Sequence, residues 1–113
     1  MESTRQQKIS RLIQKELGEI FRRETPLMVA SNVLISVTKV YVTKDLAISK
    51  VYLSIFNAAD KNEVMKAIET HKKKIRTELA HIVRNQLRII PELVFLNDDS
   101  LDYLENIEKL LKQ

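Results

Sequence analysis

Cysteine is absent from this 113-residue chain, so it can build neither a disulfide framework nor a thiolate site, which suits a reducing compartment without requiring one. Glycine occurs once, as Gly18, inside a segment of helical pattern. Nothing is therefore left from which to make a phosphate-cradling glycine loop or a strained nucleophile elbow, and nucleotide-driven catalysis is excluded at the level of sequence. Tryptophan is missing, and no repeated aromatic platform forms from Tyr41, Tyr52 and Phe56, which read as packing or interface residues rather than as a base-stacking surface. Long apolar runs are missing too. No segment approaches the roughly 20 apolar residues of a membrane span, and Arg5, Lys8, Arg11 and Lys15 interrupt the first apolar residues, against the pattern of a secretory signal. The expectation is a soluble cytoplasmic protein with no membrane partner.

What is present is 44% hydrophobic residues spread through nearly every segment, enough for one core. Residues 1–113 are expected to form a single domain. The formal net charge of +4 and a pI near 9.4 favour polyanionic partners without dictating one.

Ser3-x-x-Gln6 and Thr4-x-x-Gln7 both have the form of a capping box, and Ile9, Leu12, Ile13, Leu17, Ile20 and Phe21 follow at the spacing of one helical face. The chain is expected to open with an amphipathic helix that Pro26 brings to an end. Val33–Val42 and Ala47–Phe56 are rich in β-branched residues and flank Thr43-Lys44-Asp45-Leu46, which predicts an antiparallel hairpin. Val33, Ile35 and Val37 share one parity and Val40 and Val42 the other, so a bulge is expected near Thr38 or Lys39. Val51, Leu53 and Ile55 predict the inward face of the second strand. Its opposite face, with Ile48, Lys50, Tyr52 and Phe56, is more apolar than a solvated face needs.

Asp60-x-x-Glu63 starts a long helical pattern carrying Val64, Met65, Ile68, Ile75, Leu79, Ile82, Val83 and Leu87. Counted from Lys61 to Arg88, a straight helix would run roughly 40 Å, too long for a domain whose radius of gyration is about 13 Å. A break is therefore expected where Glu69 to Lys74 interrupt the apolar stripe. Pro91 suits the start of a third strand, Leu93–Leu96. A turn at Asn97-Asp98-Asp99-Ser100 then precedes a last helix with Leu104, Ile107, Leu110 and Leu111 inward. The order α-β-β-α(kinked)-β-α predicts an α+β sandwich with helices on one face of a three-stranded mixed sheet.

Little here can do covalent chemistry. His71 and His81 stand about 80° apart around a helix at roughly 100° per residue and lack the i, i+4 relation of a helical metal pair; no metal, cofactor or catalytic residue is expected. His71 lies where the apolar stripe passes and reads as a half-buried, hydrogen-bonded side chain. Asp98 and Asp99 are adjacent carboxylates that suit a hydrolase only in principle, and capping of the last helix is the ordinary reading. By contrast, Lys72, Lys73, Lys74 and Arg76 flank the expected break, with Arg84 and Arg88 further along the same element. Such a ridge gains affinity for phosphates mainly by counterion release and needs no particular base sequence. Most charge runs are simply solvated faces.

Taken in order, the amphipathic opening helix, the hairpin Val40-x-Val42-x-x-Asp45-Leu46-x-x-x-Lys50-Val51-Tyr52-x-Ser54, and the series Arg76-x-Glu78-Leu79, Leu87-Arg88-x-x-Pro91-Glu92-Leu93-x-Phe95-x-x-Asp98-x-Ser100-Leu101, Ile107-x-x-Leu110-Leu111 resemble the ribosome-binding factor A family over almost the whole chain. The resemblance implies a bacterial-type KH-like fold, with a helix kink in place of a glycine loop. It implies a non-enzymatic monomer that binds the small (30S) ribosomal subunit and its 16S ribosomal RNA, supporting late maturation, 5′-end processing of the precursor and growth in the cold. With it, the RNA-binding set is read as Lys72, Lys73, Lys74, Arg76, Arg84 and Arg88 together with Arg5, Lys8, Arg11 and Lys15 of the first helix. The family's kink usually reads Ala-x-Gly; His71-Lys72-Lys73 stand there in this chain, which predicts a shallower or displaced bend. Arg23-Glu24-Thr25-Pro26 replace the Asp-Pro-Arg-type motif of the loop after the first helix. Two rivals stay open: a protein-interaction or dimerisation module using Ile48, Tyr52 and Phe56, and a hydrolase using Asp98 and Asp99.

Overall fold

The computed structural model describes residues 3–29 and 32–98. Along the chain run α1 (Thr4–Met28), β1 (Leu34–Val42), β2 (Ile48–Phe56), α2 (Lys61–Thr70), α3 (Lys72–Val83) and β3 (Glu92–Asn97). The expected last helix from Leu101 to Leu111 lies outside the described residues, as do Asp99 and Ser100.

Of the two candidate capping boxes, Ser3 and Gln6 form the real one: the Gln6 N–H donates to Ser3 Oγ at 3.2 Å and Gln6 Oε1 accepts from the Ser3 N–H at 2.8 Å. Gln6 Nε2 also donates to the Val42 carbonyl at 3.0 Å, tying the start of α1 to the end of β1. From there Ile9, Ile13, Leu17, Ile20 and Phe21 are buried in a single stripe. Pro26 does not end the helix as expected. It sits inside the last turn, where its missing N–H forfeits one bond while the Val29 N–H still closes on the Thr25 carbonyl at 3.0 Å. Consequently Arg23, Glu24, Thr25 and Pro26 are helical rather than part of a loop.

β1 and β2 are antiparallel, and their register slips between Val37 and Lys39, leaving Thr38 as the extra residue. This is the bulge that the parity change requires: it turns Ile35 on one side and Val40 and Val42 on the other to the same buried face. In the connecting turn Asp45 Oδ1 accepts from Thr43 Oγ1 at 2.7 Å and from the Ala47 N–H at 3.1 Å, while Leu46 takes a left-handed φ of 61°. β3 runs parallel to β2 on its other side, giving the order β1-β2-β3. Because parallel neighbours need a crossover, α2 and α3 supply it and cover the inner face. Val51, Leu53 and Ile55 point inward as expected, and at the centre Phe21 of α1 meets Phe95 of β3 edge-on, ring centroids 5.7 Å apart.

Asp60 caps α2 by accepting from the Asn62 N–H at 2.9 Å. The break falls on His71, whose φ of −95° and ψ of 3° leave the helical range. Two side chains compete there for helix carbonyls: Thr70 Oγ1 donates to Lys66 O at 3.0 Å, and His71 Nδ1 lies 2.9 Å from Ala67 O. Such back-bonding bends helices. His71 is half-buried, and Lys72 and Lys73 are already the first residues of α3. The helix also stops earlier than the apolar pattern suggests. Val83 is its last residue, its carbonyl accepting from the N–H groups of both Gln86 and Leu87, and Ile82 is exposed.

Candidate nucleic-acid interface

α3 opens on Lys72-Lys73-Lys74 with no acid in its first turn. Cations at the positive end of a helix dipole cost about 0.3–1 kcal/mol each at an exposed site. The same arrangement concentrates positive potential there, and a bound anion relieves the cost.

Successive residues diverge by about 100° around the axis, so the lysines do not share one face. Lys72, Lys73 and Arg76 line a shallow depression beside the start of β3, with Glu69, Thr70 and Glu92 at its margins. Lys74 turns the other way, to α1, where its Nζ lies 3.1 Å from Glu24 Oε2. Glu24 is buried, and the hydrogen bond from Lys74 holds its carboxyl below the ordinary range; burial opposes this, and the Glu78 carboxyl and the charges of Lys74 and Arg23 reinforce it. Arg23 Nη2 completes the group 3.7 Å from Glu78 Oε2. Lys74 thus belongs to the joint between α1 and α3.

The basic edge continues past the helix. Arg76 Nη2 donates to the Ile90 carbonyl at 3.1 Å, clamping the 84–91 connection against α3. Arg76 also borders a second depression with His81, Arg84, Ile89 and Ile90. Ile89 then borders a third, shared with Arg5 and Lys8 of α1, Leu46 of the hairpin turn, and Arg88. Arg84 and Arg88 therefore do not extend a helical ridge as the sequence suggested: Arg84 caps α3 and Arg88 lies beyond it. They rejoin the edge because the connection folds back along α3 toward β3.

Of the expected cations, the structure gathers Lys72, Lys73, Arg76, Arg84, Arg88, Arg5 and Lys8 along this edge. Lys74 is turned away, and Arg11 and Lys15, exposed on the outer side of α1, border none of the three depressions. Sequence reasoning missed Ile89 and Ile90, whose only signal was an unassigned apolar pair before Pro91, and the buried Glu24. Asp98, the candidate acid, accepts from Thr38 Oγ1 at 2.5 Å across the sheet and is engaged with the bulge. Among the described residues no three His, Asp or Glu side chains are grouped to hold a metal ion, and no helix is long and apolar enough to cross a membrane.

A three-stranded mixed sheet with helices on one face, a helical pair broken without a glycine loop, and cations gathered beside the break define a KH-like α+β domain. The family model described as ribosome-binding factor A matches residues 5–111. The chain is 44% identical to ribosome-binding factor A of Cytophaga hutchinsonii over 113 residues, all of this chain and 84% of that one. Against the Flavobacterium johnsoniae protein of the same name it is 46% identical over 111 residues, 98% of this chain and 85% of that one. The chain belongs to the ribosome-binding factor A family. Its fold is similar to the crystal structure of ribosome-binding factor A from Thermus thermophilus, with a TM-score of 0.67 at 21% identity, covering 81% of this chain and 94% of that one. It is also similar to a homology model of the Thermus thermophilus factor fitted into a cryo-EM map of its 30S complex, with a TM-score of 0.62 at 24% identity, covering 78% and 89%.

Proposed function

We propose that this chain is a non-enzymatic ribosome assembly factor of the cytoplasm that docks on the immature 30S subunit and holds 16S ribosomal RNA phosphates along the edge running from Lys72 to Arg5. Docking favours one arrangement of the RNA over another in proportion to the difference in affinity for the two, and so supports late maturation and 5′-end processing without cutting RNA. The observation that carries this reading is the continuity of the edge, in which Arg76 joins the first two depressions and Ile89 the last two. Family membership supports the partner, and the engagement of Asp98 by Thr38 argues against the hydrolase rival.

The test is cosedimentation of purified protein with small and large subunits at several salt concentrations. Lys72→Glu, Lys73→Glu and Arg76→Glu combined abolish small-subunit binding while the circular dichroism and melting curve of the fold persist. Undiminished cosedimentation of that folded variant removes the edge from the mechanism.

A second reading is favoured by the outer sheet face, where Leu34 and Phe56 pair across the strands and are 60% and 67% exposed. A dimer in equilibrium sedimentation that Phe56→Ser disperses would favour a protein-interaction module over a monomeric RNA-binding factor.

A further inference from the structure

The third depression differs from the other two in being more enclosed, although it is no larger than the first. It spans about 540 Å³ between the first turns of α1, the hairpin turn and the 84–91 connection, within the roughly 300–1,000 Å³ typical of small-ligand sites. Its lining is of two kinds. Ile9, Leu46, Leu87 and Pro91 form an apolar floor, with the exposed Ile89 at the lip. Arg5, Lys8 and Arg88 supply charge, and no side chain of the three makes an ion pair or hydrogen bond among the described residues. Among the described lining residues the one acid, Asp45, has an oxygen committed to the Thr43 hydroxyl and the Ala47 N–H, bonds that hold its carboxyl below the ordinary range. Among the described residues the site therefore offers unpaired cations beside a greasy bed. Inorganic phosphate alone would leave the floor unused, and a purely apolar ligand would leave the cations unused.

We propose that this cavity takes one unstacked nucleotide of the RNA held along the edge, its base on Leu46, Leu87 and Pro91 and its phosphate toward Arg5, Lys8 and Arg88. The inference rests on the RNA-binding reading above and adds a subsite to it. Guanidinium planes are ordinary supports for a splayed base, apolar side chains flank extruded bases in nucleotide pockets, and the shared Ile89 lets one strand pass from the Arg84 depression into the cavity.

Ala47→Trp is the informative variant. Ala47 is exposed on the cavity wall, and its backbone contacts, the N–H to Asp45 and the carbonyl to the Glu92 N–H at 2.9 Å, do not depend on its side chain. The substitution obstructs the cavity and removes no cation. Amide spectra of the full chain are recorded during titration with a single-stranded RNA hexanucleotide. In the wild type, residues 88–90 are expected to shift together with 72–76. In Ala47→Trp the shifts at 72–76 persist, those at 88–90 vanish, and affinity falls about tenfold, the scale of one seated base. Ile89→Asp, a surface change at the lip, gives the same loss should the tryptophan disturb folding. Wild-type shifts confined to 72–76, or an unimpaired Ala47→Trp, overturn the subsite and leave the edge standing. An acidic hexapeptide that shifts 88–90 where the RNA does not overturns the nucleotide assignment. Absence of any shift, with no cosedimentation, sinks the RNA reading itself.

Discussion

Replacing Lys74 by Met removes the ammonium from Glu24 while keeping an unbranched aliphatic side chain of similar length at that position. Unit charges 3.1 Å apart attract by about 1.3 kcal/mol in water and about 5 kcal/mol at an effective dielectric constant of 20. Glu24 is 8% exposed, but the Lys74 side chain is 55% exposed, so solvent screens the pair toward the lower figure. The expected loss is about 1–2 kcal/mol, with a melting temperature lower by roughly 4–10 °C for a chain of this size. Its pH dependence has a definite sign. Because the folded Glu24 carboxyl titrates below its ordinary value, its contribution is present above the ordinary carboxylate range of about 4.3 and is lost as pH falls through the lowered folded value. The gap between wild type and Lys74→Met is therefore widest near neutrality and closes in acid. Urea titrations from pH 7 downward measure it, with Lys73→Met, at an exposed site turned away from Glu24, as the control expected within about 0.5 kcal/mol of wild type. Equal losses in the two variants, or a gap that persists unchanged at pH 3, would refute the assignment of Lys74 to the joint between α1 and α3.

Subunit binding should divide the same lysines the opposite way: Lys73→Met lowers the slope of log affinity against log salt by roughly 0.7–0.9, and Lys74→Met leaves it in place, as read by cosedimentation across a salt series. Gly18→Ala is expected to raise stability by about 0.5–1 kcal/mol in urea unfolding, since a methyl group there meets no atom within 4 Å beyond its chain neighbours and the backbone of its own helix. Gln6→Leu removes both the reciprocal cap and the bond to Val42 O, and should cost about 1–3 kcal/mol in the same assay. Phe21→Ala, at a fully buried ring packed on Phe95, should cost about 3–5 kcal/mol; near-UV circular dichroism reports whether the core survives.

Period and parity made much of the fold legible. The one-residue change of parity between Val37 and Val40 located the bulge near Thr38 or Lys39, which the structure narrows to Thr38; the run from Glu69 to Lys74 located the break that the structure narrows to His71; and spacing marked Asp60 as a cap and left Ser3 and Thr4 as the two candidates for the first. Errors came where a distant partner outweighs a local preference. Pro26 stays helical at the end of a helix whose neighbouring residues Glu24 and Thr25 are buried. The apolar pattern through Leu87 looked continuous, yet the chain turns after Val83 so that Arg76 can fasten Ile90 and Pro91 can lead into β3. In the candidate site, residue identity marked the cations, but the ridge drawn through them mixed residues from opposite sides of α3.

By itself, then, the sequence determined that the chain has no thiolate, no glycine loop and an excess of positive charge, along with the order of helices and strands among the described residues, because these depend on composition and on neighbours a few positions apart. Only the tertiary structure decided which cations lie together. Electrostatic potential falls with distance through space, and whether Lys73 joins Arg88 and Arg5 while Lys74 neutralises a buried glutamate is set by how α3 packs against α1 and how the connection after Val83 folds back.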